Sequence, residues 1–419
     1  MRRAIHLPRL PAATLVALTS FMGLGLADAT LGTAWPSIHR TLSVPLGDLG
    51  LVQLAGTAGF LSSSAISGRL AARLGRTRSL AGATGLAAAS LGLLGSAPVF
   101  AVLIVAALLV GFAGGFIEPS VQSHIALSAR TRTMNLLHGF YGIGATIGPV
   151  IVSALLVARA SWRLAYLILL SVDLIVMIGI IAQRRAFNAT TPPRVVRAHP
   201  QLQGTGLAQH EPFPRPALTM ALVLFFVYTG LEMGTGQWAF SLLTAGRHLG
   251  AGSAGLLVGG FWAALTAGRL ATAAIGDRIS TEAILTASAC GALAGEALLW
   301  WNPTHTVGAL GLLLTGASLA PAFPLMMSRT SRWAATARVS TAIGWQSASA
   351  SVGIAALSGF AGLLVGSFGI TVLCPFLTSL AAAFVVLQFA ALRIQDSGQV
   401  GMVGVGPTLR RSRLRSPSR

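Results

Sequence analysis

Twelve runs of mostly apolar residues, each close to the length that crosses a lipid bilayer, leave this chain few ways to fold. The first runs from Ala12 through Trp35; five more follow near 48–71, 79–96, 98–127, 134–158 and 162–184. After an interruption come six more, near 217–245, 253–275, 281–302, 305–328, 340–366 and 370–393. About 20 helical residues span the hydrocarbon core. Backbone polar groups inside it must be satisfied within the segment or within a closed barrel. Runs of this length predict helices, so the expected fold is an all-α membrane protein of twelve transmembrane helices. Only 9% of the residues are charged, where a soluble protein carries about a quarter.

The opening residues also resemble a secretory signal, with Arg2 and Arg3, an apolar run and the small-residue Ala27-Asp28-Ala29. The apolar character continues past that point and a twelve-helix count needs this segment, so it is read as a helix that stays. Residues 185–216 differ from everything around them: six prolines stand among arginines and histidines with no apolar period, the mark of a solvated linker. The expected organisation is a six-helix bundle over 1–184, a linker over 185–216, a second bundle over 217–393 and a basic tail over 394–419.

The formal charge of +19 comes from 29 basic residues, all of them arginine. Four (Arg40, Arg159, Arg163, Arg247) fall at one end of the predicted spans, two (Arg69, Arg269) near helix ends, and the remaining 23 on the other side. That asymmetry is the positive-inside rule. It places both termini in the cytoplasm and accounts for the charge without nucleic acid. Cys290 and Cys374 lie in apolar spans without metal-ligand spacing and read as packing residues.

The most informative segment runs from Gly111 to Pro149. At its centre Glu118 sits mid-span, where a charge costs roughly 2.5–3.5 kcal/mol on insertion scales. Gly111, Gly115, Glu118 and Gln122 share one helical face by their spacing. The glycines admit a neighbouring helix closely, and the acid points into the same interior. Either an interhelical hydrogen bond satisfies it or it belongs to a functional site. Pro119 and Pro324 follow helix centres and are expected to kink them.

The two halves repeat at an offset of 205 residues: Glu118-Pro119 lies over Phe323-Pro324, Gly139 over Gly344, Gly148 over Gly353 and Arg73 over Arg278. At 204, Asp28 lies over Glu232. Two parallel repeats of six helices are related by an axis along the membrane normal.

The chain resembles the major facilitator superfamily over its whole apolar length. Gly68-Arg69-Leu70-Ala71-Ala72-Arg73-Leu74-Gly75-Arg76 resembles the superfamily's signature loop between helices two and three. Ala72 stands where the signature has aspartate; the second half keeps that acid in Gly276-Asp277-Arg278. The resemblance implies a gating role for Gly68, Arg73, Gly75, Arg76, Asp277 and Arg278, with the N-terminal latch lacking its acid. Asn135 to Gly142, Tyr228 to Trp238 and Ala320 to Pro324 are similar to the branch related to fucose–proton symporters. In that branch an acid on helix one and another on helix four serve binding and protonation; Asp28 and Glu118 occupy those places. Sugar-binding members often carry an amide on helix five, where this chain has Tyr141.

Of ten acidic residues, five fall within spans: Asp28, Glu118, Asp173, Glu232 and Glu296. In the resembled architecture helices one, four, seven and ten line the cavity. Asp28, Glu118 and Glu232 are therefore the expected proton-coupling residues, and Asp173 and Glu296 structural partners. Sugars take an aromatic plane against their CH face and amides at their hydroxyls, chemistry that Tyr141, Gln237, Trp238, Trp345 and Gln346 can supply. Trp35, Trp300 and Trp301 are assigned to the interfacial belt, and His138 to a cap or hinge.

The expectation is a monomeric secondary transporter of the cell membrane, with lipid, proton and a small solute as partners and no cofactor or metal. It alternates access by rocking two halves and couples proton entry to a sugar-like substrate. Export of amphiphilic compounds is the rival in the same fold. His-Glu-x-x-His, Gly-x-Ser-x-Gly and the P-loop are missing, which disfavours an enzyme. A sensor without flux is the remaining alternative.

Overall fold

The computed structural model describes residues 11–128, 131–189, 215–275, 278–333 and 339–403. The helices of the first half are α1 (Ala12–Leu42), α2 (Leu49–Leu74), α3 (Arg76–Ser96), α4 (Phe100–Ser128), α5 (Thr131–Val157) and α6 (Arg163–Ala182). A short helix, α7 (Arg184–Ala189), packs back on the start of α3, where Thr77 donates to Asn188 Oδ1 at 2.8 Å. The second half holds α8 (Arg215–Ser241), α9 (Ala251–Ile275), α10 (Thr281–Trp301), α11 (His305–Leu319), α12 (Ala322–Trp333), α13 (Val339–Phe368) and α14 (Leu373–Val403). Twelve spans are long and apolar enough to cross a membrane, α11 and α12 together making one of them. The described residues contain no strand.

The tenth span breaks at Ala320-Pro321, three residues before the proline expected to kink it. Pro324 sits in the first turn of α12, where a missing N–H costs nothing. Pro119, in contrast, lies inside an uninterrupted α4. The linker 190–214 and the tail 404–419 lie outside the described residues.

Glycine sets the helix spacing. Gly111 and Gly115 of α4 back onto the carbonyls of Gly56 and Phe60, so the predicted glycine face is where α4 meets α2. Gly25 of α1 abuts the Tyr141 carbonyl, and Gly144 of α5 abuts that of Met22. A methyl at these positions would collide with backbone, which cannot swing aside. Trp35 is fully buried and donates to the Leu46 carbonyl at 2.6 Å, so it is a core residue rather than part of the interfacial belt. Trp300 and Trp301 are exposed.

The two halves touch in the part of the molecule remote from the termini. Gly47, in the turn before α2, and Gly50 of α2 lie on Gly362 and Gly359 of α13, Gly255 of α9 on Ser153 of α5, and Gly32 of α1 on Gln237 of α8. Toward the terminal face they part. Gly142 of α5 is pressed against Thr266, whereas Gly139, one turn nearer the termini, faces open space. Gly68 shares the face of Gly50, eighteen residues further along α2, and is likewise open. Among the described residues, the two halves meet at the remote end and part at the terminal end.

Candidate functional site

Asp28 lies midway along α1, whose flanks are covered by α4, α5, α6 and α8, yet its side chain is exposed. That exposure is to the cleft between the halves. The close α1–α5 approach brings the Tyr141 hydroxyl to Asp28, and it donates to Oδ2 at 2.7 Å. Glu118 of α4 is half-buried and accepts from the Gln122 amide at 3.1 Å, one turn away on the same face. Among the described residues neither acid has a cationic partner.

The second half is built differently. Glu232 of α8, 8% exposed, forms an ion pair with Arg269 of α9 at 3.1 Å. The Tyr228 hydroxyl hydrogen-bonds to Glu232 and stands 3.2 Å from the Leu319 carbonyl. The break between α11 and α12 frees that carbonyl from helical bonding, and a phenol beside it offsets the loss. Phe323, the repeat counterpart of Glu118, is apolar and packs edge-on to Phe225 at 5.3 Å between ring centres. Arg269 was missed in the sequence, where it reads as a residue near a helix end. Its signal is that it stands within the apolar run 253–275 with only one acid, Glu232, on the preceding span.

Gln237 joins the halves. Its amide donates to the Asp28 backbone carbonyl at 2.7 Å across the remote contact, so it closes the cavity from the remote side. Its neighbour Trp238, rotated by about 100° along the helix, is fully buried in the core. Gln346 is also fully buried and donates to Thr330 within its own half. These two expected substrate contacts turn inward because adjacent helical positions face different neighbours. Trp345 is 59% exposed, beside Gly344. His138 is exposed and meets Phe21 edge-on at 5.8 Å. Around Asp28, therefore, stand Tyr141 and Gln237, with Glu118 in the same half and the Glu232–Arg269 pair across the cleft.

In the expected gating loop, Gly75 joins α2 to α3 with φ +84°, a left-handed value that explains the glycine there. Gly68, Ala72 and Arg73 are exposed, Arg76 opens α3, and Arg278 is exposed. Asp277 lies outside the described residues. Glu296 accepts from Thr235 at 2.7 Å while fully buried, the arrangement of a structural partner. Among the described residues no three His, Cys, Asp or Glu gather as metal ligands.

Two packed helical halves around a polar cleft, closed at one end and open at the other, define the architecture of a membrane transporter. The Major Facilitator Superfamily model matches residues 15–304, more than half of the chain, and this protein belongs to that family. Bypass of stop codon protein 6 of Saccharomyces cerevisiae is 25% identical over 280 residues, 62% of this chain and 56% of the yeast protein. The chain thus spans just over half the length of that curated relative. Among solved structures, the nucleoside transporter NupG superposes with a TM-score of 0.74 at 15% identity, covering 91% of this chain and 99% of NupG. The D-xylose-proton symporter gives 0.71 at 14%, covering 90% and 96% respectively. The human organic anion transporter MFSD10 gives 0.63 at 16%, covering 91% and 100%. At these identities the structural likeness carries the fold alone.

Proposed function

We propose that this protein is a proton-coupled symporter of a small polar, sugar-like solute, working as a monomer with both termini in the cytoplasm of the cell membrane. The observation that carries the reading is the contrast around the cleft: among the described residues Asp28 and Glu118 hold only a phenol and an amide, while Glu232 is paired with Arg269. A carboxyl group without a cation can take a proton from the open side and release it after the halves rock. Tyr141 and the exposed Trp345 offer hydroxyl and aromatic contacts of the kind a sugar uses, while the buried Gln237 closes the cavity behind them. The resemblance to the fucose–proton symporter branch supports the same substrate class, and the D-xylose-proton symporter shares the fold.

A second reading has its own observation. Arg269 Nε is buried without a hydrogen-bond partner, so the guanidinium keeps a spare donor. A small organic anion is the class of ligand that a spare guanidinium donor suits, and one structural neighbour is an organic anion transporter.

The experiment is external pH in a weakly buffered suspension of de-energised cells expressing the protein, on adding sugars, polyols and small carboxylic acids. Alkalinisation with a sugar or polyol, lost in Glu118→Gln, is the expected result. Alkalinisation with carboxylic acids alone would favour the anion reading, and silence across the panel from correctly inserted protein would overturn both.

A further inference from the structure

A small cavity lies between α1, α3, α4 and α6, and Asp28 is not among its lining residues. It measures about 20 Å³, room for one water-sized occupant. Three of its lining residues carry side-chain oxygen: Ser20 of α1, Thr84 of α3 and Asp173 of α6. The rest are Ala, Gly, Leu, Ile and Val. The Ser20 hydroxyl spends its hydrogen on the Val16 carbonyl at 2.9 Å, and the Thr84 hydroxyl on the Leu80 carbonyl, also at 2.9 Å. What these two groups have left is lone pairs. Asp173 accepts no hydrogen bond among the described residues, and Gly23 lets it lie close against α1. With Asp173 ionised, the cavity is thus lined by acceptors with no free donor among its described side chains.

A carboxylate confined with apolar neighbours and no counter-charge is costly. A single water can donate to two of the oxygens, but its own lone pairs would meet no donor. A cation satisfies every group at once, and hard cations take oxygen ligands. We propose that this cavity is a binding site for a small alkali cation, sodium by size, held by Asp173 with the Ser20 and Thr84 hydroxyl oxygens. It is separate from the Asp28–Glu118 cleft and leans on the same helices: Ala27 and Ile117, beside Asp28 and Glu118 in sequence, line it too. Occupancy would fix α1 against α6 and thereby the position of Asp28.

The test is thermal unfolding of the purified full-length protein at fixed pH and ionic strength, with sodium chloride replacing choline chloride, alongside binding of radioactive sodium. The expected result is a saturable rise in Tm with sodium and not with choline. Apparent affinity should fall roughly tenfold or more in Asp173→Asn, and should fall also in Thr84→Val, which removes one oxygen at nearly constant shape. Asp28→Asn should keep the sodium response, which separates this site from the proton-coupling reading. Absence of a sodium effect in the unmodified protein, or an undiminished one in Asp173→Asn with Thr84→Val, would overturn the proposal. So would a Tm that responds to pH alone, which would mark Asp173 as a simple neutral acid.

Discussion

The two halves repeat at a nearly constant register, yet they treat their central acids in opposite ways. In the second half Glu232 is tied to Arg269 and Tyr228, and the counterpart of Glu118 is the apolar Phe323. In the first half Asp28 has a tyrosine, Glu118 has a glutamine, and the position matching Arg269 is Ser64, whose hydroxyl donates to the Gly115 carbonyl at 2.9 Å. One half carries a closed charge pair; the other carries acids free to change protonation. Repeat symmetry therefore conserves the scaffold of helices and glycine contacts, while the chemistry is concentrated on one side of the cleft.

The sharpest way to break this contrast is to unpair the second half. Arg269→Ala leaves Glu232 buried without its cation and should cost about 3 kcal/mol, seen as a lower Tm and yield. Combining Glu232→Gln with Arg269→Met should recover most of the loss. If Arg269→Ala leaves Tm unchanged, the pair is not the structural element described.

Next in size is the first half. Glu118→Gln, which keeps shape and removes only ionisation, should reduce proton-driven accumulation by roughly tenfold or more, within the range ascribed to a positioned proton-transfer group. Substrate exchange at equal concentrations should persist. Coupling that survives Glu118→Gln and Asp28→Asn together would erase the difference between the halves.

A smaller effect should come from the remote closure. A side chain at Gly32 meets the Gln237 backbone, so Gly32→Leu should open the remote end. A tenfold population shift there corresponds to about 1.4 kcal/mol. Distances between spin labels on the remote ends of α2 and α13 would report it, and an unchanged distribution would remove the role given to this contact.

Smallest is Tyr141→Phe, which deletes one hydrogen bond to Asp28 worth about 1 kcal/mol. Transport should fall a few-fold without loss of fold, measured as initial uptake rate against Tm. A loss as large as that of Glu118→Gln would instead make the phenol part of the proton path.

The sequence alone carried the number of spans, the parallel repeat, the family resemblance and the placement of five acids within apolar spans. All of these follow from one-dimensional properties: run length, residue offset and the high cost of charge in hydrocarbon. The glycine face around Glu118 was also legible, because helical spacing fixes which residues share a side. Which acid has a partner was not. The Glu232–Arg269 bond joins residues 37 positions apart on separate helices, and only their packing brings the two charges within reach. The same holds for Trp238 and Gln346. Their residue types suit a substrate, but helix rotation turns both into the core. The tenth span breaks at Pro321 rather than Pro324, because a proline in the first turn of a new helix removes no bond. Membrane topology is written along the chain by hydrophobicity. The pairing of charges across it is decided by which helix faces meet.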